Sequence, residues 1–421
     1  MIRSILHTLG TKFSVAIINL LIAIAISQYL GADGKGLQGL IIASMAYILI
    51  ISNIVGGASI VYLSPRSRLK HILLPAYIWA IFISGLAYFA LAWSSFIEKE
   101  YVHYIAILTL ISSFTAVNNS ILIGREKVKQ SNLVGLIQPS FTLLFLFFFF
   151  MVQDDLSIQA YLNAFLISLF SSFVLGVFFI LKLPTRTINS SLLNVVTDLF
   201  KYGILNQLSH IFQVLSFRLG YFWLAETSSR ADVGVFSNAT SVIESVWIIS
   251  RALSVVQYAR IVNLESTKEA QQITLQFMKT VFILSIFACG ILMLLPKTFY
   301  TFIFGPEFGE MSFVIRLLSP GIIFFSIFII ISHYFSGTGR YHTNALISFI
   351  GLIITVVALY LLSPLMGMMG VALSHTISYE ITAILALILF YRKTDIHLKD
   401  LWINKSDLVQ LKQSLNSLIK S

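Results

Sequence analysis

Charged residues are scarce in this sequence, and their scarcity excludes an ordinary water-soluble fold. Asp, Glu, Lys and Arg together make up 11% of the 421 residues, whereas a typical soluble domain carries about 25%. Hydrophobic residues make up 57%, so too few polar groups remain for water to solvate the surface of the folded chain. We therefore predict a multi-pass membrane protein whose surface faces lipid.

Cysteine and the familiar catalytic signatures are also missing. The single cysteine, Cys289, lies in an apolar run, so no intramolecular disulfide is possible and a thiol metal site is not expected. The sequence contains no Walker loop, zinc motif, nucleophile elbow or dinucleotide fingerprint. We predict no catalytic residue, cofactor or bound metal, and these absences favour a transporter over an enzyme.

Twelve apolar segments are long enough to cross a bilayer as helices, which takes about 17 to 25 residues each. The first segment continues past Ile26 without a signal-peptide cleavage pattern, so we expect it to be a permanent span. The segments lie near 13–30, 38–62, 72–94, 102–123, 133–152, 158–181, 203–224, 234–257, 275–296, 311–335, 343–362 and 367–391.

The fold class that follows is an all-α membrane protein with two six-helix bundles. Gly124-Arg125 and Gly339-Arg340 follow the fourth and tenth spans, each shortly before an Asn, which suggests that the second half of the chain repeats the first. Two halves that insert in the same direction are a transporter plan, with the site between them. We predict pseudo-symmetric bundles at residues 1–182 and 203–391, a cytoplasmic linker at 183–202 and a basic cytoplasmic tail at 392–421.

The basic residues determine the predicted orientation. With the N-terminus in the cytoplasm, 21 of the 28 Lys and Arg residues fall on the cytoplasmic side and five on the outer side, while Arg218 and Arg251 lie within spans. This asymmetry matches the positive-inside rule, and both termini are then cytoplasmic. Topology thus explains the net charge of +10, and we predict no nucleic-acid partner.

Polar and charged side chains in the seventh and eighth spans predict a hydrophilic lining. A charge at membrane depth costs at least a few kcal/mol, so it indicates an aqueous cavity or a partner. Helical spacing places several of these side chains on one face of each span. The predicted cavity residues are Asn206, His210, Gln213, Arg218, Glu244 and Arg251, joined by Asn19 and Asn53 from the first two spans.

A purely structural interpretation stays open for these residues. Arg218 and Arg251 lie at different depths and suit the passage of an anion, but Arg218 also suits pairing with Glu226 or with interfacial phosphates. Glu244 and Arg251, about 10 Å apart on a continuous helix, also suit mutual neutralisation between helices. The two asparagines of the first spans likewise suit hydrogen bonds between helices.

Other ionisable groups within the spans fit coupling to an ion gradient. His333 lies in the tenth span, and His375 and Glu380 lie in the twelfth. Together with Glu244 they are our candidates for using a proton or sodium gradient. The alternative is that they form hydrogen bonds within the second bundle.

Four segments, in their order and spacing, carry a resemblance to a known family. They are Leu30 to Gly36 after the first span, Val233 to Ala239 entering the eighth, Ser336 to Arg340 after the tenth, and Pro364 to Ala372 entering the twelfth. Over nearly its whole length the chain resembles the polysaccharide and O-antigen flippases. These form the Wzx-type branch of the multidrug/oligosaccharidyl-lipid/polysaccharide (MOP) superfamily of exporters, which have a MATE-like fold.

The resemblance implies a V-shaped pair of six-helix lobes with a cavity lined by spans one, two, seven and eight. It implies alternating-access flipping of an undecaprenyl-diphosphate-linked oligosaccharide across the bacterial inner membrane, from the cytoplasmic to the periplasmic leaflet. The flipped unit would serve O-antigen and lipopolysaccharide, capsule or exopolysaccharide synthesis. Implied partners are the lipid-linked substrate, membrane lipids, and the polymerase and chain-length machinery.

A cationic cavity would suit the diphosphate, because a guanidinium forms bidentate, charge-assisted hydrogen bonds with such an anion. This chain departs from strongly cationic members of the family, because only Arg218 and Arg251 lie at membrane depth. A cation-coupled multidrug antiporter of the same superfamily stays open; its acidic site would use Glu244 or Glu380. A polysaccharide polymerase or ligase is more distant, because the sequence lacks a long outer loop.

Overall fold

The computed structural model describes residues 2–94, 97–184, 191–264, 266–396 and 400, and in these ranges the chain is helical. Its α-helices are α1 Ile2–Ser52, α2 Gly57–Leu63, α3 Leu69–Trp93, α4 Lys99–Gly124, α5 Val128–Val152, α6 Ile158–Leu181, α7 Leu192–Thr227, α8 Arg230–Glu244, α9 Trp247–Ile261, α10 Thr267–Leu294, α11 Lys297–Phe304, α12 Met311–Gly337 and α13 Tyr341–Arg392. The predicted basic tail, beyond residue 396, lies outside the described residues except for residue 400.

Two of these helices, α1 and α13, are long enough for two membrane crossings, and a glycine divides each of them. A straight helix of 51 residues, the length of α1, would extend about 77 Å, more than twice the roughly 30 Å hydrocarbon core. Gly31 breaks α1 with φ 67° and ψ −171°, and Gly367 breaks α13 with φ 55° and ψ −132°. Positive φ favours glycine, so the sequence itself sets both breaks.

The eighth predicted span, 234–257, is not a continuous helix. Helices α8 and α9 meet at Ser245 and Val246 with a bend of 42°. Across this junction the backbone forms i to i−3 hydrogen bonds, such as Ser245 N to Val242 O and Val246 N to Ile243 O, in place of the α-helical pattern. The Ser245 hydroxyl also donates to Val242 O, at 2.6 Å, which is how serine competes with helical bonding.

Among the described residues, eight helices are long and apolar enough to cross a membrane, or nine if α8 and α9 form one broken span. The broken helices α1 and α13 are each counted once in this number. Helix α7 is not among the eight, because its polar side chains lower its hydropathy. The protein is thus an all-α, multi-pass membrane protein, while the twelve-span count and the cytoplasmic termini stay predictions.

The helices pack into two compact units. The first contains residues 1–238 and 300–309, and the second contains residues 239–299 and 310–421. Residues 203–238 pack with the first unit. The sequence analysis assigned them to the start of the second bundle, and its bundle boundaries stay a prediction.

Each unit has its own apolar core. In the first, Ile60, Ile72, Ile121 and Leu199 are completely buried in one cluster. In the second, completely buried apolar residues come from α12 and α13, among them Ile330, Phe335, Val371 and Phe390.

Candidate substrate cavity

A mainly apolar cavity of about 690 Å³ lies within the first unit, in the size range of ligand-binding cavities. Three helices line it: α1 between Ser44 and Ile51, α3 between Ile83 and Leu91, and α7 between Leu219 and Thr227. On each helix the lining residues recur every three or four positions, so each presents one face to the cavity.

Aromatic side chains form one wall of this cavity. The rings of Tyr47 and Phe222 stack with their centres 5.3 Å apart, and Trp223 follows them in the lining. The Tyr47 hydroxyl donates a hydrogen bond to Leu215 O at 3.2 Å. This bond joins α1 to α7 about one helical turn before Leu219, the first lining residue of α7.

Arg218 is next in sequence to the cavity lining but is not part of it. It precedes Leu219, and it lies on the same side of α7 as Phe222, four residues away. Its side chain is half-buried; its Nη1 donates to Tyr221 Oη at 3.1 Å, and the guanidinium lies 5.3 Å from the Tyr221 ring centre. Glu226 lines the cavity about 12 Å further along α7.

The other predicted residues of this unit lie on α1, in the turn that follows α1, and in the middle of α7. Gln213 Nε2 donates to Ser209 Oγ at 2.9 Å, and His210 is exposed. The backbone carbonyl of Asn53, in a 3₁₀ turn after α1, accepts from Gln207 Nε2 at 3.4 Å. Asn19 is exposed. The Asn206 side chain lies outside the described part of the structure.

In the second unit an aromatic pair connects two of the predicted residues. Arg251 is exposed, and its guanidinium lies 5.9 Å from the ring centre of Trp247. Trp247 is fully buried, and its ring lies 5.6 Å from that of Tyr379. Tyr379 in turn lies 5.7 Å from the His375 ring. Glu244 is half-buried at the end of α8, on the other side of the helix break from Arg251.

The candidates for ion coupling are all at least half-buried, but they do not form one cluster. His333 Nδ1 lies 2.8 Å from the backbone carbonyl of Ile329, His375 is 1% exposed and Glu380 is half-buried. Among the described residues, no group of three His, Cys, Asp or Glu side chains could hold a metal ion. A coupling role for these residues stays a prediction.

Lys35 is a buried residue that the sequence did not single out. It is one of the five basic residues that the charge count places on the outer side, yet it is only 5% exposed. Its Nζ donates to Gln38 Oε1 at 2.6 Å, and Gln38 Nε2 donates to the Tyr161 hydroxyl at 3.2 Å. The i, i+3 spacing of Lys35 and Gln38 was the one signal that could have indicated this pair.

Arg230 is a second feature that the sequence did not indicate. Its guanidinium forms two bonds to Asp33, Nε to Oδ1 at 2.9 Å and Nη2 to Oδ2 at 2.6 Å. Its Nη1 pairs with Glu98 Oε1 at 2.6 Å. Asp33, Glu98 and Arg230, here called the Arg230 cluster, connect α8 to the turn within α1 and to the start of α4.

Solved transporter structures have the same fold. A multidrug resistance MATE family transporter of the MOP superfamily, in an inward-facing conformation, superposes with a TM-score of 0.74 at 17% identity, over 90% of this chain and 94% of that one. The lipid II flippase MurJ, in an inward closed conformation, superposes with a TM-score of 0.74 at 16% identity, over 98% and 91% of the two chains.

Sequence comparison finds a shorter match. No protein-family model matches the chain. The capsular polysaccharide biosynthesis protein CapF of Staphylococcus aureus is 26% identical over 167 residues, which are 39% of this chain and 42% of that protein. The match therefore spans less than half of that relative.

Together these findings show that the chain has the fold of solved membrane transporters and flippases. The fold that the sequence resemblance implied is thereby confirmed, because it is shared with a solved transporter of the MOP superfamily.

Proposed function

We propose that this protein flips a lipid-linked oligosaccharide with a diphosphate headgroup across the bacterial inner membrane by alternating access. The observation that carries the proposal is an arginine placed against an aromatic ring in each unit. Arg218 rests against Tyr221 and Arg251 against Trp247. The similarity to a capsular polysaccharide biosynthesis protein and the fold shared with a lipid II flippase support the same class of substrate.

The chemistry of the substrate explains why arginine is suited to this position. A diphosphate carries at least two negative charges that must leave water during the crossing. A guanidinium offers planar, bidentate donors to phosphate oxygens and stays protonated at any physiological pH. The adjacent aromatic rings orient each guanidinium through cation–π contact. Gln213 and Ser209 offer neutral groups for the sugars.

A second candidate function is cation-coupled efflux of drugs. Half-buried acids favour it, because Glu244 and Glu380 could bind a cationic compound at membrane depth. The fold shared with a multidrug resistance transporter supports it equally. In either function, we propose that a proton or sodium gradient drives the cycle through Glu244, His333, His375 or Glu380.

The test is leaflet-selective labelling of lipid-linked oligosaccharide in a deletion strain complemented with variants. Arg218→Gln and Arg251→Gln should each lower the rate of appearance in the periplasmic leaflet about tenfold or more. Losing a hydrogen bond to a charged group costs roughly 1.5–3 kcal/mol, which corresponds to at least such a factor.

Arg316→Gln is the matched control. Arg316 is also an arginine of a membrane-crossing helix, but it is exposed and its Nε donates to the backbone carbonyl of Met293 at 3.1 Å. This variant should flip at the wild-type rate. Normal delivery to the periplasmic leaflet in the deletion strain, together with increased sensitivity to cationic drugs, would contradict the flippase proposal and favour the antiporter.

A further inference from the structure

We propose that the cavity between α1, α3 and α7 binds the polyprenyl tail of the transported lipid while Arg218 binds its diphosphate. The inference rests on the proposed function and adds to it a second binding region for the same substrate. The tail would then enter the protein along part of its length, rather than remaining in the bilayer throughout.

The lining of the cavity fits a hydrocarbon chain. Its surface is almost entirely apolar, and aliphatic side chains such as Ile48, Ile83 and Leu219 supply most of it. The aromatic faces of Phe222 and Trp223 add flat surfaces, which suit the planar alkene groups of a polyprenyl chain. On α3, Ala87 and Ala90 have short side chains, so a hydrocarbon chain has room to lie between the helices.

The cavity is accessible to lipid at its rim. Leu86 is 57% exposed and Ile51 is 41% exposed, and both belong to the lining. A hydrocarbon chain could therefore enter sideways from the bilayer, with no need to pass through an aqueous space.

Charge at the end of the cavity selects an anionic lipid as the occupant. Arg218 immediately precedes the first lining residue of α7, and the lining residue Tyr47 is bonded to the backbone carbonyl of Leu215, three residues before Arg218. A cation beside an apolar cavity is complementary to an amphiphile with an anionic head and an apolar tail. A cationic drug would be repelled at this end, and Glu226, about 12 Å further along α7, adds almost no polar surface to the lining that could hold it. We therefore assign the cavity to the tail of the polyprenyl diphosphate, and not to a drug.

Photo-crosslinking tests the assignment on the full-length protein in phosphatidylcholine nanodiscs. The photoreactive residue p-benzoylphenylalanine is placed at Leu86, and in a matched control at Leu144 of α5. Both are leucines of the first unit with similar exposure, 57% and 60%, but Leu144 lies outside the cavity. The probe is radiolabelled undecaprenyl diphosphate, and capture of labelled phosphatidylglycerol is measured in parallel.

We expect position 86 to capture about tenfold more undecaprenyl diphosphate than position 144. Adding Ala87→Trp should remove this preference, because a tryptophan fills space that the chain would occupy. Excluding two methylene groups already accounts for roughly tenfold in affinity. Ala92→Trp, on another face of α3, should leave the preference unchanged, and Arg218→Gln should reduce it.

Two results would overturn the inference. Equal capture at positions 86 and 144 would mean that the tail samples the whole lipid-facing surface. Equal capture of phosphatidylglycerol at position 86, with the same response to Ala87→Trp, would mean that ordinary acyl chains fill the cavity. In both cases the leaflet-labelling assay still decides separately whether the protein flips lipid-linked oligosaccharide. A flipping-competent protein with either result would thus retain the proposed function without the tail site.

Discussion

Lys35 is a cation that the fold holds away from water, which is an expensive arrangement. Burial of an ammonium group is tolerated when hydrogen-bond acceptors replace its hydration. Among the described residues, Gln38 is the only acceptor that the structure places on this group. Gln38 is itself oriented by the Tyr161 hydroxyl, so three residues from two helices form one polar chain in an apolar environment.

We predict that Gln38→Leu lowers the free energy of unfolding by about 1–3 kcal/mol, because it leaves a buried donor without its acceptor. The midpoint of thermal unfolding of the purified protein in detergent measures the effect. Gln153→Leu, at an exposed glutamine, should change the midpoint little. The double variant Lys35→Met with Gln38→Leu should recover much of the loss, and a double variant as unstable as the single one would contradict this explanation.

Some residues around the candidate site carry a signal in the sequence, and others carry none. Arg218 was indicated because a charge inside an apolar run is conspicuous. Lys35 was not, because it lies close to the predicted end of a span, where an exposed position is the simpler expectation. The cavity wall formed by Tyr47 and Phe222 was also missed, since aromatic residues in apolar spans give no signal that distinguishes a cavity from packed core.

At the scale of elements, α1 and α8 approach each other so closely that only glycine fits between them. A Cβ atom added to Gly36 would lie 1.8 Å from the backbone oxygen of Arg230, and one added to Gly234 would lie 2.0 Å from that of Ala32. Asn238 Nδ2 donates to Ser27 Oγ at 2.6 Å near the same contact. Close approach of this kind is how helices associate in membranes, where burial of apolar surface provides little driving force.

Gly36→Ala should therefore destabilise the first unit, because the added methyl group must push two backbones apart. Overpacking of this kind typically costs about 1–3 kcal/mol. Gly85→Ala in α3 is the control, because a Cβ at Gly85 would have no atom within 4 Å. Thermal unfolding in detergent measures both variants. If Gly36→Ala proved as stable as Gly85→Ala, the close contact of α1 and α8 would be in doubt.

The Arg230 cluster should contribute less to the free energy of unfolding than the glycine contact between α1 and α8. The side chains of Arg230, Asp33 and Glu98 are 37%, 58% and 57% exposed, and exposed ion pairs contribute about 0–1 kcal/mol. We expect Arg230→Gln to lower the midpoint of thermal unfolding slightly at low salt. It should have no effect in about 1 M NaCl, where the Debye length is only roughly 3 Å. A loss that persists at high salt would instead indicate that the aliphatic part of Arg230 packs against its neighbours.

The break between α8 and α9 shows why helical periodicity alone could not define the second part of the site. Glu244 and Arg251 were expected on one face of a continuous helix, and their separation of about 10 Å was calculated for that helix. The junction at Ser245 and Val246 interrupts it with i to i−3 hydrogen bonds. A serine within an apolar span is compatible with either geometry, so tertiary packing decides between them.

At the scale of the whole molecule, hydropathy predicts the architecture because lipid leaves the backbone few choices. Each crossing segment must satisfy its own hydrogen bonds, so apolar segments of sufficient length become helices. The breaks at Gly31 and Gly367 fall close to the limits of predicted spans, and the fold matches that of solved MOP transporters. The position of substrate groups depends on packing between helices, which hydropathy does not encode.

Orientation in the membrane is the remaining whole-molecule prediction. The asymmetry of the Lys and Arg residues predicts which side of the membrane holds the termini. Most Lys and Arg residues fall on the side that also contains both termini, so this side should be cytoplasmic.

The single cysteine makes a direct test possible, because Cys289 is buried and Cys289→Ala gives a cysteine-free background. Ser228→Cys, between α7 and α8, and Ser266→Cys, between α9 and α10, introduce matched reporters at exposed serines. We expect a membrane-impermeant maleimide to label position 228 in intact cells and position 266 only after permeabilisation. The reverse pattern would place the termini outside and would require the substrate to cross in the opposite sense. Labelling of both positions in intact cells would mean that α8 and α9 together do not cross the membrane, so that the broken helix would instead be a re-entrant segment.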